Sequence, residues 1–560
     1  MLYKSPVIPG DCEDIKVTQA GESLKDAAPI GSEARRIGDW RLNLGRTDLG
    51  DFQTGARIWW TGKQPSSCIG FDPIQGVLRA TEPPSLVDCS REEVRDYFDN
   101  GWTMTELLFS GLAIEESFYI PPYHELRHPL IFYYVHPVAF YVNKLRLAGI
   151  IDEPVDAYFE GLFDIGVDEM SWDDMSKNHI LWPSIDECRD YRAKVYELIT
   201  GVIQGDSGLA PGHERIGWHD KLWTLFMGFE HERIHIETSS ALIRELPLRL
   251  VVKPDAFPHL SPGSHKDSDS RASFSAQPQA GVNYPVNQFI DVEPGRVQIG
   301  KDRDFPSYGW DNEYGSRSVS VGAFAAGKFL ISNGEFHEFV RSGAYKESKY
   351  WSEEGFAWRS FRDVSMPTFW LLEEGQYKLR TIFEVVDMPW SWPCVVNFHE
   401  AKAFASWKAE LDGRPAPYRL LTEAQHMRLR QLTGLDSAEN ALGAIGKRFN
   451  IGLKQGSESD VREGMDGQFS DLFGNVWQWM EDHFHPLEGF AIHEYYDDFS
   501  TPCFDGKHHM IIGGSFISIG DEASPYARFH FRPHFFQHAG IRLAAIEEGD
   551  DGSVKYLPAS

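Results

Sequence analysis

The chain has 560 residues, a size that predicts about three or four domains unless one fold is large. Hydrophobic residues make up 42% and charged residues 24%, which is enough apolar material for buried cores. The net charge of -29 repels phosphate groups and anionic lipids, so we expect no nucleic-acid partner and no membrane partner. Six scattered cysteines without a C-x-x-C pair, and no secretory signal, favour a cytoplasmic protein.

The N-terminal segment gives little periodic signal before the first helix. Residues 1–85 are rich in Gly, Pro and Asp, which predicts an irregular leader that packs against the next domain or frays. Ser90 and Glu93 have the spacing of a capping box and predict a helix start. Residues 129–147 are apolar enough for a buried helix, which Pro137 should kink or restart.

Two further helices complete the first domain. Residues 186–204 carry apolar side chains at helical spacing, and a fourth helix is predicted from about 217 to 246. Four helices with long connections predict an antiparallel four-helix bundle over residues 86–252.

The amino-acid composition and the residue pattern change after this bundle. Residues 253–285 are rich in Pro, Ser, Gly and Asp and predict a linker. Residues 286–548 predict an α+β domain with two clear helices, near 332–342 and 398–411, and a short tail follows at 549–560. Its predicted strands lie in the segments VQIG, SVSVGAF, MIIGGSF and AGIRLAA.

A pair of histidines marks the fourth helix as a candidate metal site. His231 and His235 are four residues apart, so both imidazoles project from one helical face, together with Met227 and Leu242. An inward-facing imidazole needs a partner, because burying it unsatisfied is costly. Glu237 is rotated off this face, which suits a supporting role better than direct ligation. A solvated charged helix with chance histidines is the competing interpretation.

The same helix also matches the H-E-x-x-H pattern of zinc peptidases, in which the glutamate is the general base. The extended form of that pattern fails, since Thr238 occupies the position of a required glycine. A zinc hydrolase is kept as an alternative.

His136 is the candidate third ligand, because it lies mid-helix in the aromatic run FYYVHPVAFY of the same predicted bundle. A lone core histidine is more often satisfied by a hydrogen bond, but the His pair lacks a third donor. Three imidazoles would leave open coordination positions, and spacing alone does not separate iron from zinc.

Three groups of segments resemble the non-haem iron sulfoxide synthases, and the ovothiol-pathway branch more than the ergothioneine-pathway branch. They are LRHPLIFYYVHPVAFYVNKL, MGFEHERIHIETSSALIREL, and the C-terminal set DLFGNVWQWMEDHF, YYDDFSTPCFDG, IIGGSFIS and FRPHFFQHAGIRL. The resemblance covers about 85 to 548. It implies a DinB-like four-helix bundle followed by a domain of the formylglycine-generating-enzyme, or C-type-lectin-like, fold. Cys503 is the only cysteine after Cys394, so formylglycine formation itself is not expected.

The resemblance also implies the roles of individual residues. It implies that His136, His231 and His235 bind Fe(2+) and that a tyrosine of the second domain is catalytic. Tyr496 matches that tyrosine, and Tyr495 is the alternative if the alignment slips by one residue.

Five positions aligned with the substrate pocket of the ergothioneine-type enzymes carry other residues here. They are Ile234, Phe499, His179, Trp182 and His530. A pocket without the arginine pair of the ergothioneine type favours free cysteine and free histidine as substrates, with O2.

The implied reaction joins the thiol to an imidazole carbon and oxidises the sulfur to a sulfoxide. The implied product is 5-histidylcysteine sulfoxide of ovothiol biosynthesis, and Tyr496 would supply a proton, or a proton with an electron, as O2 is reduced. The alternatives are an ergothioneine-type synthase, a thiol dioxygenase, a zinc hydrolase and a non-catalytic lectin-like binding protein. The ovothiol branch usually carries a C-terminal methyltransferase domain, which we do not expect in this chain. The oligomeric state is left open.

Overall fold

The computed structural model describes residues 59–120, 127–164, 181–261, 277–435 and 448–545. Within these ranges no helix combines the length and the apolar character that crossing a membrane would take. The helices are Arg91–Phe109 (α1), Leu130–Leu147 (α2), Ala157–Leu162 (α3), Ile185–Gly205 (α4), Trp223–Glu245 (α5), Asn333–Arg341 (α6), Glu353–Arg362 (α7), Phe398–Leu411 (α8) and Glu423–Thr433 (α9). The strands are Phe71–Asp72 (β1), Val77–Leu78 (β2), Phe289–Val292 (β3), Gly295–Ile299 (β4), Arg317–Val321 (β5), Phe324–Gly327 (β6), Trp370–Glu373 (β7), Gln376–Arg380 (β8), Val385–Asp387 (β9), Arg419–Leu420 (β10), Met465–Asp466 (β11), Phe469–Ser470 (β12), Trp477–His483 (β13), His509–Ile512 (β14), Phe529–Phe531 (β15), Ala539–Gly540 (β16) and Leu543–Ala545 (β17).

The long helices α1, α2, α4 and α5 pack together in the first half of the chain. The predicted capping box is confirmed: Ser90 accepts from the Glu93 backbone, and the Glu93 side chain accepts from the Ser90 backbone. A second box, from Ser184 and Glu187, starts α4. Helix α2 runs unbroken through Pro137, so the predicted restart is wrong. Packing on both sides outweighs the backbone hydrogen bond that proline removes.

Helix α5 is buried along its whole length, with Ile234 as the one side chain that is partly exposed. It packs on α1 and α2 within the bundle and on the turn Gly520–Ala523 of the second half. A helix that carries many charged residues and is buried on every side needs polar partners from both neighbours. This helix therefore joins the two halves of the chain.

The described part of the predicted leader packs against the bundle. The indole Nε1 of Trp59 donates to the backbone oxygen of Glu106 at 2.9 Å, and the hairpin β1–β2 buries Leu78 completely. Residues 1–58 lie outside the described ranges, as do residues 262–276 of the predicted linker.

The second half holds two four-stranded sheets, with strand orders β10-β17-β6-β3 and β15-β14-β13-β16. In the second sheet, β13 pairs antiparallel with β14 and parallel with β16. The predicted strands and both predicted helices, α6 and α8, are confirmed. Helices α7 and α9 were not predicted, because both are short and mostly polar in sequence.

Candidate metal centre

Three imidazoles from two helices meet inside the bundle. His136 comes from α2, His231 and His235 come from α5, and one ring nitrogen of each lies within 4.8 Å of the other two. The Nε2 atoms of His231 and His235 are 3.2 Å apart. The ring of His136 lies 4.9 Å from that of His231 and 4.8 Å from that of His235. The structure thus brings all three predicted ligands together.

The hydrogen bonds and burial of these imidazoles favour their neutral forms. Burial, followed by the neighbouring imidazoles, lowers the pKa of His231 and His235 well below the ordinary histidine range. Nδ1 of His136 lies 2.6 Å from the backbone oxygen of Phe163, so Nδ1–H donates and Nε2 keeps its lone pair. Facing lone pairs at close range repel each other unless a cation lies between them. The donor set therefore fits a divalent transition metal, and Fe(2+) is among the ions that imidazoles suit.

Aromatic rings cover the cluster from α2. Phe140 stacks on His231 with ring centroids 3.7 Å apart and an interplanar angle of 11°, and Phe132 stacks on His136 at 4.6 Å and 18°. Sequence reasoning missed both rings, although each lies four residues from His136 and so on the same helical face. They keep the imidazoles in place and exclude water on that side.

Tyr496 reaches the cluster from the connection between β13 and β14. Its ring centroid lies 6.2 Å from His231 and 5.0 Å from Phe140. Burial raises the pKa of its phenol far above the usual range, and nearby carboxylates raise it further. Tyr495, the alternative candidate, instead packs on His493 at 5.6 Å. Of the two tyrosines, Tyr496 is the one that faces the histidines.

Lys144 is a charged group at this site that the sequence did not single out. Its Nζ lies 4.1 Å from the ring centroid of Tyr496 and 5.0 Å from that of Phe140. Burial lowers the pKa of Lys144, and the carboxylates of Asp498 and Asp164 oppose that shift. Lys144 lies two helical turns after His136 on α2, so the same periodicity could have found it.

Glu237 faces the second half of the chain rather than the histidines. It accepts hydrogen bonds from the indole of Trp477 at 2.5 Å and from the hydroxyls of Ser515 and Ser518 at 2.7 and 2.5 Å. Burial raises its pKa to about 6, although these three donors favour the ionised form. The carboxylate therefore fixes α5 against the second half.

Glu232, the glutamate of the H-E-x-x-H pattern, also faces away from the histidines. Its carboxylate accepts from the hydroxyl of Tyr141 at 3.0 Å and lies 3.6 Å from the guanidinium of Arg192. Both partners are buried in the bundle core. The structure does not bring Glu232 to the site as a general base.

Two of the predicted substrate contacts pack on aromatic rings that themselves contact the three-histidine cluster. Phe499 stacks on Trp310 at 4.1 Å and lies 5.2 Å from the ring of Tyr496. Trp182 packs at 6.0 Å on Phe132, the ring that covers His136.

The other predicted substrate contacts are less well supported. Ile234 is half-buried on α5, and His179 lies outside the described residues. His530 stacks on Phe484 at 4.0 Å and contacts His508. Strand alternation turns it to the face opposite Phe529 and Phe531, so the structure does not bring His530 to the histidine cluster.

Comparisons with known proteins find one family match and several similar proteins. Residues 273–437 match the family described as the Sulfatase-modifying factor enzyme 1-like domain. The hercynine oxygenase of Mycobacterium tuberculosis is 29% identical over 248 residues, which cover 42% of this chain and 55% of that protein. Ergothioneine biosynthesis protein 1 of Schizosaccharomyces pombe is 24% identical over 440 residues, which cover 75% and 51%. The hercynine oxygenase of Mycolicibacterium thermoresistibile is 28% identical over 264 residues, which cover 44% and 56%.

The chain spans about half the length of the curated relatives it matches. The chain is similar to proteins named hercynine oxygenase over 42% and 44% of its length, and to ergothioneine biosynthesis protein 1 over 75%. Residues 273–437 carry a sulfatase-modifying-factor-like domain.

Proposed function

We propose that this chain is an iron(II)- and O2-dependent sulfoxide synthase that joins cysteine to the imidazole of histidine to give 5-histidylcysteine sulfoxide. The observation that carries the proposal is the convergence of His136, His231 and His235 beside Tyr496. The relatives named hercynine oxygenase support the general class of reaction. The choice of cysteine and histidine rests on the resemblance to the ovothiol branch.

The proposed reaction is balanced by one molecule of O2. The thiol and one imidazole carbon each lose a hydrogen, and a C–S bond forms between them. One oxygen atom stays on the sulfur, and the other leaves as water with the two hydrogens. Iron(II), when held by the three histidines, supplies open coordination positions for the thiolate, the imidazole and O2.

The proton that O2 reduction needs comes from Tyr496 in this proposal. Its buried phenol keeps the proton on Oη at neutral pH, because burial disfavours the phenolate. A phenol beside His231 is close enough to act at the same site. Without that proton, the same oxidant and the same thiol would yield cysteine sulfinic acid, which needs no C–S bond to histidine.

Lys144 gives the pocket a cation that suits an amino-acid substrate. Its ammonium lies over the ring of Tyr496, and that ring lies 6.2 Å from the ring of His231. A substrate carboxylate bound there would form a charge-assisted hydrogen bond in a water-poor site, where such bonds are strong. We propose that Lys144 orients one of the two substrates relative to Tyr496.

Each competing function requires a different role for particular residues. A zinc hydrolase needs Glu232 as a base, and that carboxylate is held by Tyr141 and Arg192. A non-catalytic lectin-like protein gives no reason for three facing imidazoles. The names of the relatives favour an ergothioneine-type synthase as the second candidate, which would take a γ-glutamyl thiol and hercynine.

The direct test is anaerobic loading with iron(II), followed by O2 and paired substrates, with products identified by mass spectrometry. We expect a single iron per chain, lost in His136→Ala, and a sulfoxide from cysteine with histidine. A sulfoxide formed only from γ-glutamylcysteine and hercynine would transfer the assignment to the ergothioneine type. Metal binding without O2 uptake for any pair would reject the synthase.

Tyr496→Phe tests the source of the proton. We expect sulfoxide formation to fall about 100-fold, the scale of a lost general acid, with a matching rise in cysteine sulfinic acid. Tyr495→Phe is the matched control, because that ring packs on His493, and it should keep the wild-type product ratio. An unchanged ratio in Tyr496→Phe, or the diversion appearing in Tyr495→Phe instead, would contradict the assignment.

A further inference from the structure

A second group of metal-binding side chains lies in the second half of the chain. Cys503, His508 and His530 present a sulfur and two ring nitrogens within 4.8 Å of one another. Cys503 ends the 3-10 turn Thr501–Cys503, and His508 directly precedes β14. His530 is the middle residue of β15, the edge strand that pairs with β14. Three separate backbone elements therefore bring these side chains together.

His508 is oriented by a carboxylate, as metal-binding histidines usually are. Its Nδ1 lies 2.9 Å from Oδ1 of Asp505, and the backbone N–H groups of Lys507 and His508 also donate to that oxygen at 2.8 and 3.3 Å. The hydrogen bond holds the proton on Nδ1 and leaves the Nε2 lone pair for a cation.

The ring of His530 has an unmet bonding requirement. Its Nδ1 is buried and has no hydrogen-bond partner in the described part of the chain. The ring stacks on Phe484 at 4.0 Å and stands perpendicular to His508, with centroids 5.2 Å apart. A buried polar atom without a partner is costly, and a bound cation would stabilise this imidazole.

We propose that Cys503, His508 and His530 bind a zinc ion, with a water molecule in the fourth position. Zinc prefers thiolate and imidazole ligands in a tetrahedral arrangement, whose bond lengths set the ligand atoms about 3.3 to 3.6 Å apart. Because these atoms lie within 4.8 Å of one another, they would close by at most about 1.5 Å to reach that spacing. The thiolate distinguishes this site from the three-histidine cluster, since soft sulfur favours zinc over iron(II).

The ion would anchor the segment that carries Tyr496. Cys503 follows Tyr496 closely in the chain, and between them Ser500 donates to Asp311 at 2.5 Å and accepts from Asn312 at 3.1 Å. Binding Cys503 to the edge of the β14–β15 pair would fix the far end of the same segment. The zinc ligands are thus positioning residues for Tyr496 and do not touch the substrates.

Cobalt(II) substitution tests the site on the full-length protein, because a cysteine–cobalt bond gives a charge-transfer band that imidazoles cannot produce. We expect the band in the wild type and in His136→Ala. By elemental analysis, we expect one zinc per chain in both, in addition to iron in the wild type. Cys503→Ser should lose the band and the zinc while keeping the iron. His530→Gln should weaken cobalt binding at least tenfold.

A wild-type protein without the band, or a Cys503→Ser protein that keeps it, would overturn the proposal. The cobalt band and the zinc content do not depend on sulfoxide synthase activity. The zinc site and the proposed synthase function can therefore be refuted independently of each other.

Discussion

Replacing Glu237 with alanine tests the contact that holds the two halves of the chain together. The carboxylate is buried and accepts from Trp477, Ser515 and Ser518, all in the second half. Each hydrogen bond to a charged group contributes about 1.5 to 3 kcal/mol, and the alanine leaves three buried donors without a partner. Relief of the buried charge offsets part of this loss. We expect the free energy of unfolding to fall by about 3 kcal/mol.

The measurement is guanidinium unfolding followed by tryptophan fluorescence and circular dichroism. Glu237→Gln keeps one acceptor oxygen and should lose less than the alanine variant. Glu197→Ala is the matched control, because this glutamate is exposed on α4 and its removal should cost less than about 0.5 kcal/mol. Equal stability of Glu237→Ala and Glu197→Ala would refute the idea that this carboxylate joins the halves.

Three further outcomes follow from the described contacts. Phe140→Ala should lower the free energy of unfolding by about 3 to 5 kcal/mol and reduce iron retention, since the ring stacks on His231 at 3.7 Å; a calorimetric scan with and without iron checks both effects. Chelation of iron should lower the melting temperature of the wild type and leave that of His136→Ala unchanged, because only a bound metal adds stability through this site. Burial lowers the pKa of His426 to about 3, so the folded state binds fewer protons than the unfolded state below pH 6.5 and stability falls with acidification. His426→Gln should reduce the slope of the free energy of unfolding against pH by about 1.4 kcal/mol per pH unit between pH 6 and 4.

The helices of the first half could be predicted because local signals and burial agree there. The capping box at Ser90 and Glu93 and the apolar spacing of residues 186–204 both specify the same elements that the structure has. At Pro137 the helix continues rather than restarts, because burial of the apolar helix around it outweighs the lost backbone hydrogen bond. In the second half, α9 was missed because its buried polar side chains look like a solvated segment.

Sequence spacing could predict the candidate site only where two ligand residues lie one turn apart on the same helix. His231 and His235 share a face by spacing alone, whereas the distance from His136 to that pair depends on how α2 packs against α5. Which of Tyr495 and Tyr496 lies beside His231 depends on the path of a connection between strands, which no periodicity specifies. His530 lies on the opposite face of β15 from Phe529 and Phe531, because neighbouring residues of a strand alternate between faces, and a sequence alignment does not fix which face points to a site.

The polar contacts of α5 explain how the three-histidine cluster in one half can keep a fixed distance to Tyr496 in the other. At 3.6 residues per turn, Glu230, Glu237 and Arg244 lie on one face of the helix, almost opposite His231 and His235. Glu230 accepts from the Asp521 backbone at 2.7 Å, and Arg244 donates to Glu458 at 2.7 Å. An apolar interface would tolerate a shift along the helix, and one residue of shift moves the histidines by about 1.5 Å relative to Tyr496. Directional hydrogen bonds to buried charges penalise such a shift. The face of α5 that carries Glu230, Glu237 and Arg244 therefore fixes the position of the face that carries His231 and His235.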